Sequence, residues 1–117
     1  MTLFMIVIDK DYNITMTRGD TFIRTLKLTK NGEDYTPNEH DVIRFAMSNV
    51  YKGKTGYELL IEKIIDNNTL EWVIEASETA NLPYGKYFYD LQITYGQTGY
   101  VETFADKKTL RLTEEVE

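Results

Sequence analysis

Residues 69–95 read TLEWVIEASETANLPYGKYFYDLQITY, and their pattern decides the fold. Leu70, Trp72, Ile74 and Ala76 point one way, and Glu71, Val73 and Glu75 the other, which is the period of a half-buried strand. Ser77 is placed to open a short helical turn over residues 77–82. Its hydroxyl would cap free N–H groups, and Glu78 would sit at the positive end. Pro83 and Gly85 end that turn. From Lys86 to Tyr95 alternation returns, with Tyr87, Tyr89, Leu91 and Ile93 on one face and Phe88, Asp90, Gln92 and Thr94 on the other. Strand, helical turn and strand in this order is a crossing from one sheet of a β-sandwich to the other.

Working outward, 117 residues make one domain, residues 1–117, able to bury a real core. Nine Tyr, five Phe and one Trp favour strands over helices. The formal charge of −6 argues against general nucleic-acid binding, which needs a basic face. The absence of cysteine removes disulfide and thiolate chemistry. The opening MTLFMIVI is too short for a membrane helix and lacks the features of a signal peptide, so Leu3 to Ile8 reads as a strand and no membrane association is expected.

Further strands are expected at Ile14–Thr17, Thr21–Thr29, Val42–Ser48, Glu58–Ile65, Tyr100–Phe104 and Thr109–Thr113. Phe22, Leu26 and Leu28 form the inner face of the second of these, and Arg24 is a misfit that must lie near a sheet end, meet a carboxylate or follow a bulge. Asn31-Gly32 marks a hairpin turn. The segment ELLIEKII could make a turn and a half of helix, but its length and its Ile-Ile ending favour a strand. Asp106-Lys107-Lys108 interrupts the last strand, and Glu114 to Glu117 is an acidic tail. The count is seven to nine strands with turns every 8–12 residues or so, which indicates an all-β antiparallel sandwich.

Catalytic and metal motifs are weak. Asp9-x-Asp11-x-Asn13 resembles a calcium loop, but Ile14 stands where that loop needs Gly, so it reads as a turn. Glu39-His40-Asp41 holds the only histidine, and three consecutive loop residues fan apart rather than converge on one ion, so it reads as a solvated loop. With one histidine and no cysteine, nucleophilic hydrolysis lacks its parts. No enzyme activity, cofactor or metal is expected. Arg18-Gly19-Asp20 matches an adhesion tripeptide, but three residues recur by chance and a glycine at a strand corner needs no receptor to explain it, so it reads as a turn.

The aromatic residues carry the functional question. Tyr51, Tyr57, Tyr84, Phe88, Tyr95 and Tyr100 would cover core edges, form a protein contact surface, or stack on sugar rings. Tyr57, Phe88, Tyr95 and Tyr100 are the candidate contact residues. Tyr87, Gly85 and Ser77 are the candidate structural corner. In immunoglobulin-like sandwiches a Tyr near the start of this strand hydrogen-bonds back to the backbone of the crossing.

Met16-Thr17-Arg18-Gly19-Asp20-Thr21-Phe22, Asn31-Gly32-Glu33-Asp34-Tyr35, Val42-Ile43-Arg44-Phe45 and the run Ser77 to Leu91 together resemble small bacteriophage domains. These are similar to the N-terminal domain of the tailed-phage baseplate upper protein. The resemblance spans roughly residues 14–113. It implies an immunoglobulin-like β-sandwich serving as a structural module of a virion, made in the host bacterial cytoplasm before assembly. It carries over no catalytic residue. Read as complete, the chain has no trimer-forming helix or distal domain, which implies an accessory virion protein or a subunit assembling through edge strands. Its partners would be other virion proteins or copies of itself. Two further readings are a carbohydrate-binding adhesion module, with a glycan partner, and an intracellular protein that binds a host factor.

Overall fold

A computed structural model describes residues 7–8 and 11–114, with side chains described for residues 11–114. The fold is all-β. Six strands form the main sheet: β1 (Val7–Ile8), β2 (Ile14–Thr17), β6 (Val42–Ser48), β7 (Leu59–Ile65), β9 (Gly85–Thr94) and β10 (Val101–Thr113). Their order across the sheet is β1-β2-β10-β9-β6-β7. All neighbours are antiparallel except β2 and β10, which run parallel. The second layer is smaller. β3 (Phe22–Thr25) pairs with β8 (Glu71–Ile74), and β4 (Thr29–Lys30) pairs with β5 (Glu33–Asp34).

Alternation explains the main sheet. β9 buries Tyr87, Tyr89, Leu91 and Ile93, and β6 buries Ile43, Phe45 and Met47. In register, Phe45 lies beside Leu91 and Met47 beside Tyr89, so the apolar face is continuous across strands. Leu110 and Leu112 of β10 and Ile14 and Met16 of β2 extend it. The small ribbon closes the core with Phe22, Trp72 and Ile74, all buried. The Trp72 ring lies 4.8 Å from Phe22, 5.1 Å from Phe45 and 5.3 Å from Tyr89, centroid to centroid. It is the hinge of contact between layers, and truncating such a ring costs about 3–5 kcal/mol.

Several expectations are corrected. The strand expected over Thr21–Thr29 is broken: β3 ends at Thr25 and β4 begins at Thr29, while Leu26 and Leu28 stay packed against the core. Helix α1 spans Ala76–Thr79, and Ser77 lies inside it, so Ser77 is not its cap. Glu75 is the N-cap, and its N–H donates to Glu78 Oε1 at 2.8 Å. A carboxylate three residues on reaches back more readily than a serine inside the turn. The last strand is continuous through Asp106–Lys108; register shifts and the positive φ of 53° at Lys107 absorb the interruption. Parallel pairing of β2 with β10 was not expected. The segment ELLIEKII is a strand, and Asn31 and Gly32 both take positive φ, as a two-residue hairpin turn requires. Of the strand expected over Leu3–Ile8, only Val7–Ile8 falls within the described residues. Asp9 and most of the acidic tail lie outside them.

Candidate functional site

The β2–β10 pairing leaves part of β10 without a strand partner on one side among the described residues. β2 pairs with β10 only from Leu110 to Thr113. Among the described residues, no strand pairs with residues 101–108 on that side. Residues 26–28 arch over the same end of the sheet. Leu26 N–H donates to the Leu70 carbonyl at 2.8 Å, and the Leu28 carbonyl accepts from Tyr35 N–H at 2.9 Å. Arch and sheet enclose a cleft of about 240 Å³. Its floor is apolar: Leu26, Leu28, Trp72, Leu91, Ile93 and Ala105. Arg24, Lys27 and Lys30 stand along its rim against one carboxylate, Glu102.

Beside the cleft, Tyr35, Tyr95 and Lys30 build a shelf. The two tyrosine rings meet edge to face at 6.0 Å, and Lys30 Nζ sits 4.3 Å from the Tyr95 ring centre. Behind the shelf Asp41 is buried, 4% exposed. It accepts from the Tyr35 hydroxyl at 2.5 Å and from the N–H groups of Asn38 and Gly96, each at 2.9 Å. Burial pushes the Asp41 carboxyl up, but the bonds from Tyr35, Gly96 and Asn38 and the nearby Lys30 together hold it below its ordinary value. The Tyr35 hydroxyl is pushed up to about 12, chiefly by its bond to that carboxylate. The solvated-loop reading of residues 39–41 therefore fails at Asp41. The Asn67 side chain secures the same loop, donating to the carbonyls of Asn38 at 2.9 Å and Asp41 at 3.0 Å.

The four candidate contact residues fall into two pairs. Tyr95 and Tyr100 border the shelf, where Tyr100 is 72% exposed. Tyr57 and Phe88 line a shallow depression on the outer face of the sheet, where Phe88 packs on Tyr51 at 4.2 Å. Phe88 and Tyr95 are seven residues apart on an extended chain, about 23 Å. They do not form one patch. Asp90 borders the outer depression, and burial raises its carboxyl. Sequence reasoning missed the cleft, Asp41 and the edge of β10, because each depends on partners far apart in the chain.

At the corner, the Tyr87 hydroxyl donates to the Pro83 carbonyl at 2.6 Å. Gly85 holds φ at 137°, a conformation other residues avoid. Arg18 donates to the Leu82 carbonyl at 3.2 Å and to the Tyr84 hydroxyl at 2.9 Å, and its guanidinium stacks on the Tyr84 ring at 4.0 Å. Gly19 N–H donates to the buried Thr79 hydroxyl at 3.0 Å. The Arg18-Gly19 pair thus serves the corner. Among the described residues there is no cluster of three or more potential metal ligands of the His, Cys, Asp and Glu types. No family model, curated protein or solved structure matches this chain.

Proposed function

We propose that this protein is a non-enzymatic structural component of a phage or prophage particle, associated with its tail or baseplate. It works by protein–protein assembly on an immunoglobulin-like sandwich. Strand partition supports the fold part. In such sandwiches the second and fifth strands share one sheet, and the third, sixth and seventh share the other. Here β3 and β8 pair in one layer while β6, β9 and β10 are neighbours in the other, with β7 added beside β6. The Tyr87 bond to the Pro83 carbonyl supports the same reading, because a tyrosine corner makes such a bond back to the crossing. The filling Trp72 stands on β8 rather than on the third strand, a departure from the antibody pattern.

One observation carries the assembly reading. Tyr100, Val101 and Phe104 are 72%, 58% and 38% exposed within five residues at the start of β10, where, among the described residues, the edge away from β9 has no strand partner. Single exposed apolar residues are ordinary, but a group beside a free edge marks a contact surface. The acidic surface keeps free subunits apart before they meet their site. Sugar stacking is less well served, because it needs open ring faces. Lys30 covers a face of Tyr95 and Tyr51 covers Phe88.

Alanine at Tyr57, Phe88, Tyr95 and Tyr100 together, with the fold checked by thermal melting, tests this reading. Loss of incorporation into particles is expected, and the Tyr95/Tyr100 pair should account for most of it. Unchanged incorporation of the fourfold variant sinks the contact assignment.

A further inference from the structure

We propose that the partner enters as an extended acidic segment of another protein, adding a strand along Val101–Ala105 of β10 and seating alternate side chains in the adjoining cleft. This rests on the assembly reading above and names its partner chemistry. Three independent features meet at this place.

The first is backbone. β10 runs thirteen residues, and β2 covers only its last four on that side. Natural edges are protected by lysines, bulges and twist. On β10 such protection comes from two register shifts, between Thr103 and Ala105 and between Ala105 and Lys108, and from Lys107 and Lys108. Val101 to Thr103 keeps regular register with β9, and Val101 to Phe104, all exposed, carries no lysine. It offers about 13 Å of edge, enough for a short augmenting strand.

The second is shape. The cleft beside this edge has an apolar floor and a volume of about 240 Å³, room for one or two side chains rather than a drug-sized molecule. Main-chain bonding with a pocket for alternate side chains is how strand addition combines affinity and specificity.

The third is charge. On a chain of net −6, the cleft lining holds Arg24, Lys27 and Lys30 against one carboxylate, Glu102, with Asp34 beside Lys27 and Asp41 near Lys30 outside the lining. Lys27 is only loosely paired with Asp34, at 3.8 Å, with both side chains mostly exposed. The Arg24 side chain makes no hydrogen bond or ion pair among the described residues. An acidic segment complements this rim, whereas another basic segment would meet like charge.

The test uses the full chain and three capped synthetic nonapeptides. One alternates Val and Glu. The second carries Lys in place of Glu. The third is the Val/Glu peptide with alternate backbone amides N-methylated. Amide resonances of residues 101–105 and fluorescence of Trp72, the sole tryptophan, report binding. The Val/Glu peptide should shift those resonances saturably. The Lys and N-methylated peptides should bind about tenfold more weakly or worse. Arg24→Glu with Lys27→Glu should reverse the charge preference without changing the melting temperature. Equal binding of all three peptides, or binding that leaves residues 101–105 unmoved, overturns the proposal. Concentration-dependent shifts at 101–105 without peptide would overturn it in favour of a second copy as occupant. If the peptides fail but the protein is found in particles at a fixed ratio, the docking mode falls and the assembly reading stands. If the protein is absent from particles, the assembly reading itself falls.

Discussion

The Tyr35 hydroxyl donates to Asp41 Oδ2 at 2.5 Å, and this bond fastens the loop after β5 to the wall of the cleft. Tyr35→Phe leaves a buried carboxylate short of one donor, and a loss of about 1–2 kcal/mol is expected in urea denaturation. Asp41→Ala strands three donors and should cost more, about 2–3 kcal/mol.

The same bond sets a pH dependence. The folded Asp41 carboxyl is held below its ordinary value of 3.8, so its contribution to stability is full above that pH and is lost as pH falls through the lower folded value. Tyr35 works in the other direction. Its contribution is full below its ordinary value of 10.0 and is lost as pH rises toward about 12. Urea midpoints for wild type and Tyr35→Phe across both ranges check this. The variant should lose the alkaline component that Tyr35 supplies and show a smaller acid component. Identical profiles would refute the assignment.

Gly96 and His40 are in close backbone contact. A Cβ on Gly96 would lie 2.5 Å from His40 Cβ and 2.6 Å from its carbonyl oxygen. Gly96→Ala must push the two loops apart and disturb the Gly96 bond to Asp41. A loss of about 1–3 kcal/mol is expected, from overpacking and a weakened buried bond. His40→Ala should be nearly neutral by comparison, because its imidazole is exposed.

The corner offers a separable pair of variants. Tyr87→Phe removes the hydroxyl that reaches Pro83, and a cost of about 0.5–1.5 kcal/mol is expected. Gly85→Ala meets no atom within 4 Å, so any loss reports the φ of 137° alone, at about 1–3 kcal/mol. Chemical denaturation of both, with no loss for Tyr87→Phe, would remove the corner's structural role.

Lys63 joins the layers. Its side chain lies on the inner side of β7, donating to the Val73 carbonyl at 2.9 Å and to Glu78 Oε1 at 2.8 Å. Both side chains are about a quarter exposed, so screening limits the ion pair. Lys63→Met should cost about 1 kcal/mol, much of it from the lost bond to Val73. Thermal melts in low and high salt would show whether the loss tracks charge or the hydrogen bond.

β6 and β9 were legible in the sequence because each carries three or four alternating large apolar residues between turn signals, a pattern no helix would bury. The Asn31-Gly32 turn was legible because only a few residue types accept positive φ twice in succession. Other features depend on distant partners. Parallel pairing of Ile14 with Leu110 joins residues almost a hundred positions apart, and no local period announces it. Asp41 looked solvated because its neighbours Glu39 and His40 are. Its burial follows from Tyr35 and from Gly96, 55 positions away. The helix cap moved from Ser77 to Glu75 because two good signals stood two residues apart, and the reciprocal carboxylate bond won. Tyr57, Phe88, Tyr95 and Tyr100 were chosen for their side of a strand. That pattern fixes a face but not the distance along it, which separates them into two pairs.

Quantitative mass spectrometry of purified particles from an induced lysogen carrying this gene tests the central claim most directly. The account predicts the protein at a fixed ratio to tail proteins in washed particles. Abundance in the lysate with absence from particles would contradict it.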